Sequence, residues 1–131
     1  MAVLVDTDLL VLQEQEGPSI EELVGDEERA VSVITVSELL HGVHRARGAR
    51  RTHRRAFVEH LLGTLEPVPI TEPVARVHAE IWAALASRGK VIGSHDLWIA
   101  ATALAHGFGV ATGNSRDFER VPGLRVLGFA M

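Results

Sequence analysis

Four acidic residues in this chain stand where a short apolar run hands over to a helix or a loop: Asp6, Glu38, Asp96 and Asp117. Asp6 is the most demanding of them. It ends Ala2–Val5, an unbroken apolar run with the pattern of a strand covered on both faces. An isolated buried carboxylate costs several kcal/mol or takes up a proton, so this ending needs a partner, a cation or open solvent. Carboxylates that converge repel one another and raise each other's pKa, so a cluster of them is stable mainly when a cation sits between them. Oxygen-only ligands select a hard divalent ion, Mg²⁺ or Mn²⁺, over zinc or copper. Phosphate chemistry follows from such an ion, which activates a water, neutralises the phosphate and stabilises a leaving oxygen.

The elements that would deliver these acids are legible as alternating strands and helices. After the first strand, TDLLVLQEQEG reads as a helix stopped by Gly17 and Pro18, and SIEELV as a short acidic one. AVSVIT is a second strand, and TVSELLHGVHRA a helix starting at Thr35. The basic stretch breaks the pattern at Gly48 and runs into the helix AFVEHLLGTL, and EPVPI, hemmed by Pro67 and Pro69, is an edge strand. TEPVARVHAEIWAALASRG is amphipathic, with Val74, Val77, Ile81 and Leu85 at helical spacing. SHDLWIAATALAHG, apolar almost all round, is a buried helix with Ser94 as N-cap and Gly107 at its end. The strand FGVAT, a loop with one helical turn and the strand LRVLGF finish the chain.

This alternation predicts an α/β domain built on a parallel sheet covered on both faces. In that architecture the C-terminal ends of the strands and the N-terminal ends of the following helices share one edge, where ligands bind. All four acids map to it. Each also has a structural explanation. Glu38 with Thr35 spells a capping box, Asp96 suits a helix macrodipole, and Asp117 is ordinary turn chemistry. Their shared placement is what raises them above those readings. Thr112 and Asn114, beside Asp117, are placed to hydrogen-bond a carboxylate or a metal-bound water, although both also suit a plain turn.

Composition narrows the class. A chain of 131 residues, 47% hydrophobic, predicts one domain over residues 1–131 with a single fold unit. The absence of cysteine excludes disulfides, a thiolate nucleophile and sulfur-ligated metals, and fits a cytoplasmic protein. No apolar run approaches the roughly 18 residues of a membrane span, and no signal peptide is visible. The net charge of -4 argues against non-specific coating of nucleic acid, yet Arg45, Arg47, Arg50, Arg51, Arg54 and Arg55 cluster without an acid among them. Arg50, Arg51, Arg54 and Arg55 are therefore candidate RNA-phosphate contacts, with a solvated helix face or an acidic partner as the competing readings.

The segments LVDTDLL, TVSELLHG, IGSHDLWIAATALAHG and ATGNSRDFERVPGLRV resemble, in order and spacing, the motifs of PIN-domain proteins and, among them, the VapC toxins of toxin–antitoxin pairs. The resemblance spans nearly the whole chain. It implies a PIN-like three-layer sandwich with a mostly parallel central sheet. The implied activity is a Mg/Mn-dependent endoribonuclease hydrolysing RNA phosphodiester bonds, held in check by a VapB antitoxin that covers the active site. Asp6, Glu38, Asp96 and Asp117 then become the catalytic, metal-holding acids, and Thr112 matches the threonine or serine often found beside the fourth. Asp8 stands where asparagine is frequent, as a cap, a support or an extra charge, and Gly113 where arginine is common.

Other residues carry weaker expectations. His95 neighbours Asp96 but, as an adjacent helix position, should point elsewhere. None of the seven histidines is expected as a ligand. Trp82 and Trp98 read as core or interface residues, and an exposed face on the helix bearing Ile81 and Leu85 would suit a homodimer. Two rival classes remain. A receiver-like signalling domain wants an acid ending the third strand and a lysine ending the fifth, and the only lysine here is Lys90. A catalytically silent PIN fold acting as a binding module would be expected to have lost an acid.

Overall fold

Ala2–Val5 (β1) is the middle of a five-stranded sheet, with Glu28–Ser32 (β2) and then Glu66–Val68 (β3) on one side, and Gly109–Thr112 (β4) and then Val126–Gly128 (β5) on the other. A computed structural model describes residues 1–130. Every pairing is parallel. The helices are Thr7–Glu14 (α1), Ile20–Val24 (α2), Val33–Arg45 (α3), Gly48–Leu62 (α4), Glu72–Ser87 (α5), Ser94–His106 (α6) and Ser115–Phe118 (α7).

The two-residue period of a strand divides the central apolar runs between two cores. Val3, Val5, Val31 and Ala111 join Leu9, Leu10, Leu39, Val43, Val58 and Leu61 from α1, α3 and α4. Leu4, Ala30 and Val110 join Val74, Ile81, Leu85, Leu97, Ile99, Ala100 and Phe118 from α5, α6 and α7. A sheet covered on both faces is buried at nearly every position, as β1 and β4 are; the one polar side chain among them, Thr112, ends β4. The result is the expected three-layer sandwich.

Four local expectations are corrected. α3 starts at Val33, two residues before Thr35, because Ser32 accepts the Ile34 N–H (2.9 Å) and takes the N-cap. α4 starts at Gly48, so the arginine stretch is helical; the break in pattern is a turn between two helices, with Gly48 at a φ of 56° that favours glycine. Gly93, not Ser94, is the cap of α6, with no side-chain hydrogen bond. Ile81 and Leu85 lie inside the second core, so any exposed apolar face of α5 is not theirs; Trp82 is the large hydrophobic side chain on the outer side of α5, at 56% exposure.

The chain passes outward through β1, β2 and β3, then returns to the opposite side of β1 for β4 and β5. The crevice at the C-terminal ends of β1 and β4 is therefore a topological switch point, the usual place for a ligand in such sheets. α7, one turn long, carries Asp117 past this crevice and is pinned by the fully buried ring of Phe118. Replacing Phe118 with Ala should cost about 3–5 kcal/mol of unfolding free energy, read by urea denaturation; a loss below about 1 kcal/mol would mean that α7 is held by something else.

Candidate active site

Asp6 extends the β1–β4 ladder by one bond, its N–H reaching Ala111 O at 2.8 Å, and then turns into α1 as the N-cap. Its side chain is buried. Two donors hold it: the Thr7 N–H meets Oδ1 at 2.8 Å, and the hydroxyl of the fully buried Thr112 meets Oδ2 at 2.7 Å. Thr112 Oγ1 in turn accepts the Asn114 N–H at 2.8 Å, so one hydroxyl ties the end of β1 to the loop after β4. Asn114 Nδ2 donates to Asp117 Oδ2 at 3.1 Å. The supporting roles expected of Thr112 and Asn114 are both visible as hydrogen bonds to acids.

Glu38 sits in the second turn of α3, because that helix begins early, and Thr35 is buried beneath it. The capping box is therefore not formed. Thr7 Oγ1 donates to Glu38 Oε1 at 2.7 Å and lies 3.3 Å from Thr35 Oγ1. Asp8, in the first turn of α1, accepts the Gly113 N–H on both oxygens at 3.2 and 3.1 Å and so ties α1 to the β4–α7 loop. Asp96 stands in the first turn of α6, facing the other acids across the crevice.

Charge couples the group. Burial pushes the Asp6 carboxyl up to about 7 against the donors Thr112 and Thr7, and the charges of Asp8 and Asp96 push it the same way. Burial also raises Asp96, followed by the charges of Glu38, Asp117 and Asp8. Each of the other acids is thus coupled by charge to Asp96, and Asp8 to Asp6 as well, although among the described residues no three His, Asp or Glu side chains are arranged as a ligand set. The donor chemistry fits a hard divalent cation: carboxylate oxygens, threonine hydroxyls and no sulfur.

Two features depart from the sequence reading. His95 does not point away; its Nδ1 lies 3.3 Å from Glu38 Oε2, because the start of α6 faces α3 across the crevice and the exposed ring reaches over it. The arginines are divided. Arg54 is held by Glu14 through two bonds of 3.1 and 3.0 Å, and Arg51 by the carbonyls of Ala46 and His44, whereas Arg50 and Arg55 are exposed. Thr7 and Thr35 carry no site role in the sequence reading. The signal for Thr7 was present, as a hydroxyl between two acids at a strand end; Thr35 was read as a cap.

The raised Asp6 pKa has a consequence for stability. Without a cation the folded protein keeps this proton up to about pH 7, while the unfolded chain releases it near 3.8. The folded state therefore binds more protons across that window, and stability falls as pH rises from 4 to 7. Thermal unfolding in a chelating buffer should show a higher midpoint near pH 5 than near pH 8, with an unfolding free energy larger by up to about 3 kcal/mol at the lower pH. Asp6→Asn should flatten the dependence; an unchanged slope in that variant would place the proton elsewhere.

The PIN domain family profile matches residues 3–124. The chain is 32% identical over 128 residues to ribonuclease VapC1 of Rickettsia felis, covering 97% of this chain and 96% of that protein. It is 35% identical over 130 residues to ribonuclease VapC of Rickettsia bellii, again covering 97% and 96%. The crystal structure of VapBC-5 from Mycobacterium tuberculosis, a member of the VapBC family of toxin–antitoxin systems, superposes with a TM-score of 0.82 at 29% identity, covering 98% of each chain.

Proposed function

The chain belongs to the PIN-domain family, among its VapC-type members, and from that premise we propose that it is an endoribonuclease toxin that hydrolyses RNA phosphodiester bonds with Mg²⁺ or Mn²⁺ and is silenced by a VapB-type antitoxin. The observation that carries this reading is the convergence of Asp6, Asp8, Glu38, Asp96 and Asp117, from elements far apart in sequence, on one edge of the sheet with coupled charges. Two relatives named as ribonucleases match this chain over nearly their whole length, which supports the activity.

Asp6, Glu38, Asp96 and Asp117 would hold the cation, which when bound supplies an activated water and neutralises charge on the phosphate. The chain's own groups set the geometry. Thr112 fixes one Asp6 oxygen and the Thr7 N–H the other, so the carboxylate cannot rotate. Thr7 Oγ1 holds Glu38, and Asn114 holds Asp117, so the remaining lone pairs of both carboxylates are directed by protein donors. Asp8 keeps the β4–α7 loop closed against α1.

The antitoxin reading is supported by a recess between α1, α3 and α4, lined by Val11, Leu39, Phe57 and Val58 with Glu38 and Thr7 at one end. A helix laid there would cover the acids while burying apolar surface. The similarity to a solved VapBC structure supports the same partner. A homodimer belongs to the proposal as well, through the outward α5 face that leaves Trp82 exposed.

Asp96 gives a direct test. Asp96→Asn, which keeps shape and removes charge, should abolish cleavage of RNA in Mg²⁺ or Mn²⁺ and relieve growth arrest on expression, with an unchanged circular dichroism spectrum. A purified Asp96→Asn protein that cuts as fast as wild type would show the pocket to be misassigned. Chelation of divalent ions should stop the wild type reversibly, and mapping the 5′ ends of cellular RNA after brief induction of wild type and Asp96→Asn would identify the cleavage sites.

A further inference from the structure

On α3, Glu38, His41 and Arg45 follow one another at i, i+3 and i+7, so they share a face. That face forms a recess of about 550 Å³ beside the acids, lined by Thr7, Ser37, Glu38, His41, Arg45 and His95. Arg45 also lines a second recess of about 420 Å³, at the turn between α3 and α4, together with Arg47 and Arg50. The two recesses therefore meet at Arg45. Among the described residues, no carboxylate lies within ion-pair distance of Arg45, Arg47 or Arg50. Arg54 lines the second recess too, but its guanidinium is closed onto Glu14; Arg51 is turned back onto the carbonyls of α3, and Arg55 lies off both recesses.

We propose that Arg45, Arg47 and Arg50 form the track along which the RNA backbone leaves the acid pocket, and that Arg51, Arg54 and Arg55 take no phosphate. The inference rests on the nuclease reading above and deepens it by naming the residues that position the substrate. Three unpaired guanidinium groups on a surface that opens directly onto Glu38 match a polyanion that must also reach the acids. Arg45 lies about 10 Å along the helix axis from Glu38, at ~1.5 Å per residue, so it meets a neighbouring phosphate rather than the one at the acids. Such a contact counters the repulsion between the acid pocket and the RNA. It leaves the charge at the reacting phosphate to the acids and their ion.

The test is binding of a short fluorescein-labelled single-stranded RNA of mixed sequence, titrated at several salt concentrations in EDTA so that cleavage plays no part. The triple variant R45Q/R47Q/R50Q should bind roughly tenfold or more weakly than wild type at low salt, and its salt slope should be smaller by about 2, three phosphate contacts at ~0.7 each. R55Q, which removes an equally exposed charge, should leave the slope unchanged, and R51Q should do the same; thermal midpoints confirm that each variant is folded. A triple variant with the wild-type slope, or R55Q lowering the slope as much per charge, would overturn the track. So would a triple variant that keeps RNA binding but no longer binds a polyglutamate peptide, which would mark an acidic-protein surface instead. Cleavage in Mg²⁺ is measured separately. Wild type that binds with the predicted slopes but never cuts supports the track and removes the nuclease reading, whereas a cutting wild type with an unaltered triple-variant slope removes the track alone.

Discussion

The burial of one carboxylate at the end of the central strand sets the conditions for everything around it. Asp6 cannot be moved outward, because β1 lies between β2 and β4 and its apolar residues are covered on both faces. It cannot be left alone either, since an unpartnered buried charge costs several kcal/mol. Two donors, the Thr7 N–H and the Thr112 hydroxyl, hold it, and still the carboxyl titrates near neutrality. The site is thus built around a group that releases its proton readily only when positive charge is supplied.

That requirement explains the surrounding chemistry. The neighbouring acids add to the problem rather than relieve it, and three of the four are tethered by neutral donors: Glu38 by Thr7, Asp8 by the Gly113 N–H, and Asp117 by Asn114, with the Arg120 guanidinium 3.9 Å from Asp117. Neutral donors orient carboxylates without cancelling their charge, which stays available to a cation. The strand order β3-β2-β1-β4-β5 places this group at a switch point, where helices of both layers begin and where α1, α3, α6 and α7 can each contribute one side chain. The cationic surface lies one step away, on α3 and α4, so attraction for a polyanion and the acids that act on it are kept on adjoining faces.

Much of the fold was readable from local pattern. β1 and α6 are apolar almost throughout because both are buried, and an edge position for EPV follows from proline lacking an N–H. The errors fall at helix starts, where short-range alternatives are nearly equivalent. Ser32 and Thr35 can both cap a helix; Ser32 wins because β2 ends there, and this moves Glu38 from a capping position to one that faces the acids. Likewise the arginine stretch lacks an apolar stripe, so nothing in its own pattern marks it as helix; Phe57, Val58 and Leu61 further on anchor α4 to the sheet and carry the earlier turns with them.

The acids were legible for the same reason. A parallel α/β order delivers strand ends and helix starts to one edge, whatever the details of packing, so their convergence follows from chain order alone. The partners of individual side chains do not follow from it. That Arg54 is closed onto Glu14 while Arg50 is open, or that His95 reaches Glu38, depends on how α1 packs beside α4 and α6 beside α3. Hydrogen bonds and ion pairs act over about 3–4 Å, and chain order places side chains no better than the width of a helix. The sequence by itself therefore determined which groups meet at the edge, and the tertiary structure decided which of them hold one another and which are left free for substrate.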